Sequence, residues 1–222
     1  MVLILDETPG GVGGRLRCMK LSVAYRKRAV PIAFECYEPH RPPVPMPALL
    51  WRLLRRAARS LPEGVDDCEV TLLADRGLSW PIVLDCCVAL GWHYVLRLQR
   101  DTRVRFPDGT TRSAWELARR REARWLGPGV GVFKKAGWRE ANVVATWERC
   151  CRERCCREPW LLVSDLPATF MRCRNYCKRA WCEQLHTATR RVTGSTGSSA
   201  ASATRPTPSG WCWSWPWRRG CA

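Results

Sequence analysis

Two short apolar runs that each end in an aspartate decide the fold predicted by this sequence: residues 2–8 read VLILDET and residues 70–77 read VTLLADRG. Continuous apolar runs of this length, bounded by polar and turn residues, are typical of buried β-strands. Asp6 follows the first run and Asp75 the second, so we expect both carboxylates at one edge of a sheet. Either aspartate alone could be a helix cap or a turn residue, but the pair indicates a site.

The segments around these runs predict a mixed α/β fold. Residues 16–25 and 29–37 read as strands that complete a three-stranded meander. Residues 48–61 place leucines at helical spacing beside an arginine face, and residues 82–90 predict a second helix that ends at Gly91. Strands that alternate with helices in this way predict a mixed sheet flanked by helices.

The pattern changes along the chain and suggests four parts. Residues 1–102 predict the first part of the mixed α/β core, and residues 103–168, with short alternating runs separated by turns, predict a β-rich insertion. Residues 169–190 predict a helix that completes the core. Residues 191–222 are rich in Ser, Thr, Gly and Ala and then in Trp, a composition unlike the rest.

The late helix carries a regularly spaced set of polar residues. Tyr176, Arg179 and Glu183 are separated by three and four residues, and Arg190 follows seven residues later. Residues at these spacings share one face of an α-helix. Glu183 would therefore add a third carboxylate to the pair formed by Asp6 and Asp75.

The charge and cysteine content bound the function and the compartment. The chain has 37 Lys and Arg against 20 Asp and Glu, a net charge of +17, which favours a polyanionic partner. A GC-rich genome would also enrich arginine without any such function.

We expect a reducing, cytoplasmic location for the 14 cysteines because no signal peptide pattern is present. No apolar run reaches the length of a membrane span.

Three motifs in this order carry a resemblance to a known family. VLILDET with AYRKRAVPIAF, then VTLLADRG, then YCKRAWCEQL resemble the catalytic core of bacterial insertion-sequence DDE transposases, the group marked by a Tyr-x2-Arg-x3-Glu-x6-Lys signature. The resemblance covers about residues 1–190. It implies a ribonuclease-H-like fold, Mg²⁺-dependent cleavage of DNA strands at transposon ends, and transfer of the 3′ end into target DNA. Mn²⁺ could replace Mg²⁺, and a homodimer in a synaptic complex is possible.

The resemblance also assigns roles to individual residues. It implies a catalytic, metal-binding triad of Asp6, Asp75 and Glu183. It further implies DNA contacts from four side chains, namely Tyr176, Arg179, Arg190 and Arg76.

The chain departs from the family pattern in three respects. Arg190 stands where the signature has lysine, and the DNA-binding region that normally precedes the first aspartate is missing, so we expect a truncated and impaired enzyme. In a shifted reading frame, codons for Trp211 to Trp217 encode an aliphatic helix, and Arg190-Arg191 can contain a lysine codon. We therefore expect residues 191–222 to be frameshifted and disordered. The alternative is a genuine Trp-rich tail that binds membrane surfaces or aggregates.

Two other classes of function stay open at this point. A non-catalytic basic protein could bind DNA or interfere with a transposase partner, and its binding would be sensitive to salt but indifferent to Mg²⁺. The cluster Cys150-Cys151 and Cys155-Cys156 could hold zinc, although its spacing is not that of paired C-x2-C arms. We interpret Cys18, Cys36, Cys68, Cys86 and Cys87 as small core residues, and most of Trp115, Trp125, Trp138 and Trp147 as packing residues. One of these tryptophans could instead stack on a flipped base, as the resemblance implies.

Overall fold

The computed structural model describes residues 1–10, 15–61, 69–120, 122–147 and 158–180. Within them, ten β-strands and three α-helices form a mixed α/β structure. The strands are β1 Val2–Gly10, β2 Leu16–Tyr25, β3 Arg28–Tyr37, β4 Thr71–Ala74, β5 His93–Arg97, β6 Arg103–Arg105, β7 Thr111–Ser113, β8 Arg124–Val132, β9 Arg139–Thr146 and β10 Trp160–Ser164. The helices are α1 Met46–Arg59, α2 Pro81–Ala89 and α3 Met171–Tyr176.

All ten strands belong to one sheet, in the order β3-β2-β1-β4-β5-β10-β9-β8-β6-β7. The neighbours β1 and β4 are parallel, as are β4 and β5, and the other neighbouring pairs are antiparallel. Parallel neighbours need a crossover connection, which α1 provides between β3 and β4 and α2 provides between β4 and β5. The predicted mixed α/β class is therefore confirmed, with a sheet that is mostly antiparallel.

The alternation of side chains along β1 separates two layers of core. Leu3 and Leu5 belong to the larger core, which includes the buried leucines of α1 and the buried residues of α2. Ile4 points to the opposite face and belongs to a smaller core that includes Trp160 and Tyr176. Because successive side chains of a strand point to opposite faces, α1 and α2 cover one side of the sheet and the α3 region covers the other.

The strand β10 joins the two parts of the sheet. It pairs with β5 on one side and with β9 on the other, both antiparallel. The strands β6 to β9, which lie in the predicted insertion, thus continue the same sheet. The division of the chain at residues 102 and 168 stays a prediction.

Three details differ from the sequence-based expectations. The helix predicted within residues 169–190 begins at Met171, is α-helical to Tyr176, and continues as a 3-10 turn over Cys177–Ala180. Cys36 is exposed, so its assignment to the core was wrong, and Cys18 is only partly buried. Cys86 and Cys87 are buried as predicted.

The helix α2 shows how the sequence sets its ends. Pro81 stands at its first turn, where a missing backbone N–H is tolerated. Gly91 has a φ of +67° just after the helix, a conformation that glycine adopts without strain.

Among the described residues, no helix is long and apolar enough to cross a membrane.

Candidate functional site

Asp6 lies within β1, and Asp75 directly follows the carboxyl end of the neighbouring parallel strand β4. The residues that precede them, Leu5 and Ala74, are paired across the two strands. Asp6 lies on the same face of the sheet as Ile4, because the two positions are two residues apart. This is the face covered by the α3 region. The structure thus brings the two predicted aspartates together, although β1 continues past Asp6 to Gly10 and only Asp75 stands at the end of its strand.

Arg179, from the 3-10 turn after α3, connects the two carboxylates. Its Nη2 atom is 3.3 Å from Asp6 Oδ1 and 3.1 Å from Asp75 Oδ2. The Arg179 side chain is only 15% exposed, so these ion pairs lie in a partly desolvated environment. Both carboxylates therefore converge on a single positively charged group.

Lys20 is a member of this site that the sequence analysis missed. It is paired with Asp6 in the antiparallel register of β1 and β2, and its Nζ atom is 3.4 Å from Asp6 Oδ2. Both side chains are 11% exposed. The signal that could have identified Lys20 is the register of β1 against β2, in which Gly10 pairs with Leu16 and Asp6 with Lys20.

Tyr176 lies behind the carboxylates and is buried. Its ring packs edge-on against Trp160, with ring centroids 5.5 Å apart. Burial raises the pKa of its hydroxyl well above the usual value, and the negative charge of Asp75 adds to the effect. The hydroxyl has no hydrogen-bond partner among the described residues. A direct contact between Tyr176 and DNA would require this ring to become accessible.

Arg76 lies at the rim of the site and is held by Glu158. Its backbone N–H donates a 2.6 Å hydrogen bond to Asp75 Oδ1, and its Nη1 atom is 2.6 Å from Glu158 Oε2. Glu158 also attracts Arg97 and Arg100, each 3.8 Å away. Three arginines around one glutamate leave a positively charged rim beside Asp75, which suits a phosphate-bearing ligand.

The donor set of this site fits Mg²⁺ or Mn²⁺. Magnesium prefers hard oxygen ligands and is commonly held by one or two carboxylates together with water and substrate phosphates. Asp6 and Asp75 supply carboxylate oxygens that already converge on the cationic group of Arg179. Among the described residues, no group of three or more potential metal ligands is present. In this part of the chain, Asp6 and Asp75 are the carboxylates that could hold such an ion.

Several predicted functional residues lie outside the described residues. Glu183 and Arg190 are among them, as are the cysteine cluster at residues 150–156, Cys68 and the tail at residues 191–222. Their proposed roles stay predictions.

The tryptophans of residues 103–147 make packing contacts with aromatic and arginine side chains. Trp115 lies edge-on to Trp147 and under the guanidinium of Arg100, whose Cζ is 3.8 Å from the ring centroid. Trp125 lies edge-on to Phe106. These contacts are consistent with the packing role that we assigned to most of these rings.

Comparisons with known proteins do not identify a family for this chain. No family model matches the sequence, and no curated protein matches it.

Proposed function

We propose that this protein is the catalytic core of a DDE transposase, which cleaves DNA strands and transfers their 3′ ends with the help of Mg²⁺. The observation that carries the proposal is the convergence of Asp6, within β1, and Asp75, at the carboxyl end of the parallel strand β4, on one cationic group. A three-stranded meander followed by two parallel strands supports a ribonuclease-H-like interpretation of the sheet. The strands β6 to β10 would then correspond to the predicted β-rich insertion at residues 103–168, before the last catalytic helix.

Each residue of the site has a proposed task. Asp6 and Asp75 would hold the divalent ion, and Glu183 is the predicted third carboxylate. A bound ion would polarise a phosphoryl oxygen and lower the pKa of an attacking water molecule. Arg179 and Arg76 would bind DNA phosphates beside the carboxylates, because guanidinium groups match phosphate geometry. Lys20 would hold the Asp6 carboxylate in position through their ion pair.

The first test is metal binding, which does not depend on catalytic activity. We expect Mn²⁺ to bind to the purified chain, as measured by electron paramagnetic resonance, and to bind much more weakly to the variant D6N/D75N. The matched control is D101N, since Asp101 is an exposed aspartate outside the site. Equal Mn²⁺ binding by the wild type and D6N/D75N would contradict the proposal.

The second test is nicking of supercoiled plasmid DNA in Mg²⁺ or Mn²⁺. We expect D75A to abolish metal-dependent nicking and D101A to retain it. Nicking that persists unchanged in D75A would exclude the assignment of Asp75. A chain that binds DNA in EDTA, binds no Mn²⁺ and never nicks DNA would instead be the non-catalytic DNA-binding protein considered above.

A further inference from the structure

The helix α1 exposes a stripe of four arginines on its outer face. Arg52, Arg55, Arg56 and Arg59 recur at spacings of three and four residues, and all four are exposed. Residues at these spacings are neighbours on a helix surface. The helix contains no acidic residue, so the stripe receives no compensating charge from its own element.

A buried glutamate orients two of these arginines. Glu35 on β3 accepts hydrogen bonds from Arg52, 3.2 Å from Nε and 2.9 Å from Nη2, and lies 3.1 Å from Arg56 Nη1. The stripe keeps three net positive charges, because four arginines face one glutamate. Guanidinium groups fixed in this way lose less side-chain entropy when they bind an anion.

The other two arginines extend the stripe along a shallow groove. The Arg55 guanidinium lies over the Trp51 ring, with Cζ 5.8 Å from the centroid. Trp51 and Ala48 form the apolar part of the groove, and Ser60 closes it beyond Arg59. The surface thus combines guanidinium groups with one aromatic ring.

The stripe is separate from the carboxylate site. Leu49, Leu50, Leu53 and Leu54 bury the inner side of α1 in the core that contains Leu3 and Leu5, whereas Asp6 lies on the opposite face of the sheet. A ligand bound to the outer side of α1 would therefore not touch Asp6 or Asp75.

Stabilisation of the helix explains only part of the stripe. Arg56 and Arg59 lie in the last turn, where positive charge compensates the helix dipole. Arg52 and Arg55 lie before that turn, so this effect does not account for them. The stripe extends about 10 Å along the helix axis from Arg52 to Arg59, a length over which one strand of duplex DNA carries about three phosphates.

We propose that the arginine stripe of α1 is a second binding surface for duplex DNA, which contacts the phosphate backbone without reading sequence. This inference rests on the proposed function, because that function identifies the polyanion as DNA. Three net positive charges complement a phosphate backbone. A duplex on this surface lies on the side of the sheet opposite to the strand that is cut, so one chain can hold two DNA segments.

The test is the salt dependence of binding to a fluorescent 30-base-pair duplex of arbitrary sequence in EDTA, followed by anisotropy. The variant R55Q/R59Q removes two charges and keeps both ion pairs of Glu35. Because each lost phosphate contact lowers the slope of log K against log salt concentration by about 0.9, we expect a loss of about 1.8. The matched control R26Q/R28Q removes the same charge from the end of the β2–β3 hairpin, where Arg26 follows β2 and Arg28 begins β3.

Two results would overturn the inference. The first is an equal loss in R26Q/R28Q of the slope of log K against log salt concentration, which would mean that binding depends only on the net charge of the protein. The second is an unchanged slope in R55Q/R59Q. The variant D6N/D75N separates this inference from the proposed function, because the stripe is expected to bind DNA equally well without the two carboxylates. If R55Q/R59Q still nicks DNA and binds it with the salt dependence of the wild type, the proposed function stands and the second binding surface is excluded.

Discussion

Lys20 lies directly across the hairpin from Asp6, and its ammonium nitrogen is 3.4 Å from Asp6 Oδ2. The other carboxylate oxygen, Oδ1, is 3.3 Å from Arg179. Asp6 is thus held from two sides, by a neighbouring strand and by the segment after α3. A buried charge needs such compensation, since an unpaired carboxylate in this position would be strongly destabilising.

The pairing of Lys20 with Asp6 predicts measurable coupling in folding stability. We expect K20M and D6N each to lower the free energy of unfolding, because each leaves its partner short of a counter-charge. The double variant should lose less than the sum, with a coupling energy of about 1 to 2 kcal/mol. Urea denaturation of the four proteins measures this. Strictly additive effects would show that the two charges do not interact.

Arg179 predicts a competition between its guanidinium and a divalent ion. Replacing it in R179Q removes the charge between Asp6 and Asp75, so we expect the metal-free variant to lose about 2 kcal/mol of folding stability. Mg²⁺ should then raise the Tm of R179Q more than that of the wild type, because binding to the folded state is stabilising. Thermal unfolding with and without Mg²⁺ measures the difference.

The control for this experiment is R76Q, since Arg76 pairs with Glu158 through its side chain. Its response to Mg²⁺ should resemble that of the wild type. The same Mg²⁺-induced change of Tm in all three proteins would show that Arg179 does not compete with the ion.

Removal of the buried Tyr176 hydroxyl is expected to affect activity without a large effect on folding stability. Because it lacks a hydrogen-bond partner among the described residues, we expect Y176F to change the free energy of unfolding by no more than about 1 kcal/mol, in the direction of greater stability. The packing against Trp160 would remain. If the hydroxyl serves the proposed chemistry, metal-dependent nicking by Y176F should fall while its denaturation curve does not. A strongly destabilised Y176F would instead reveal a structural partner of the hydroxyl.

The cysteines are expected to differ in reactivity. Burial raises the pKa of the Cys86 thiol to about 11 and that of Cys87 further still. Because the thiolate is the reactive form, a thiol with this pKa is ionised to only about one part in a thousand at pH 8. Cys36 is exposed and should be alkylated before Cys86 and Cys87. Timed labelling with iodoacetamide and peptide mass spectrometry measures the order, and equal rates for Cys36 and Cys87 would contradict it.

The sequence predicted the strands of the candidate site because their pattern is local. The apolar runs before Asp6 and Asp75 are continuous, and strands buried on both faces have this pattern. Lys20 was missed because its neighbour across the hairpin depends on the register of the turn. A shift of one residue would place Lys20 on the opposite face.

Other features depend on contacts that are distant in the sequence. The spacing of Tyr176 and Arg179 predicts a helix, but it cannot decide whether the backbone is α-helical or tightens into a 3-10 turn, as it does after Tyr176. The continuation of the sheet through β6 to β9 depends on β10, which pairs with strands on both sides. No local pattern encodes that pairing.

The position of β10 also has a consequence for biosynthesis. It is the last of the described strands to leave the ribosome, although it occupies the middle of the sheet. Until residues 160–164 emerge, the edges of β5 and β9 that pair with β10 in the finished sheet have no partner strand. Open strand edges are templates for pairing with other chains. A nascent chain that stalls before residue 160 is therefore prone to aggregation at two strand edges. The five residues of β10 pair with both edges and so protect them.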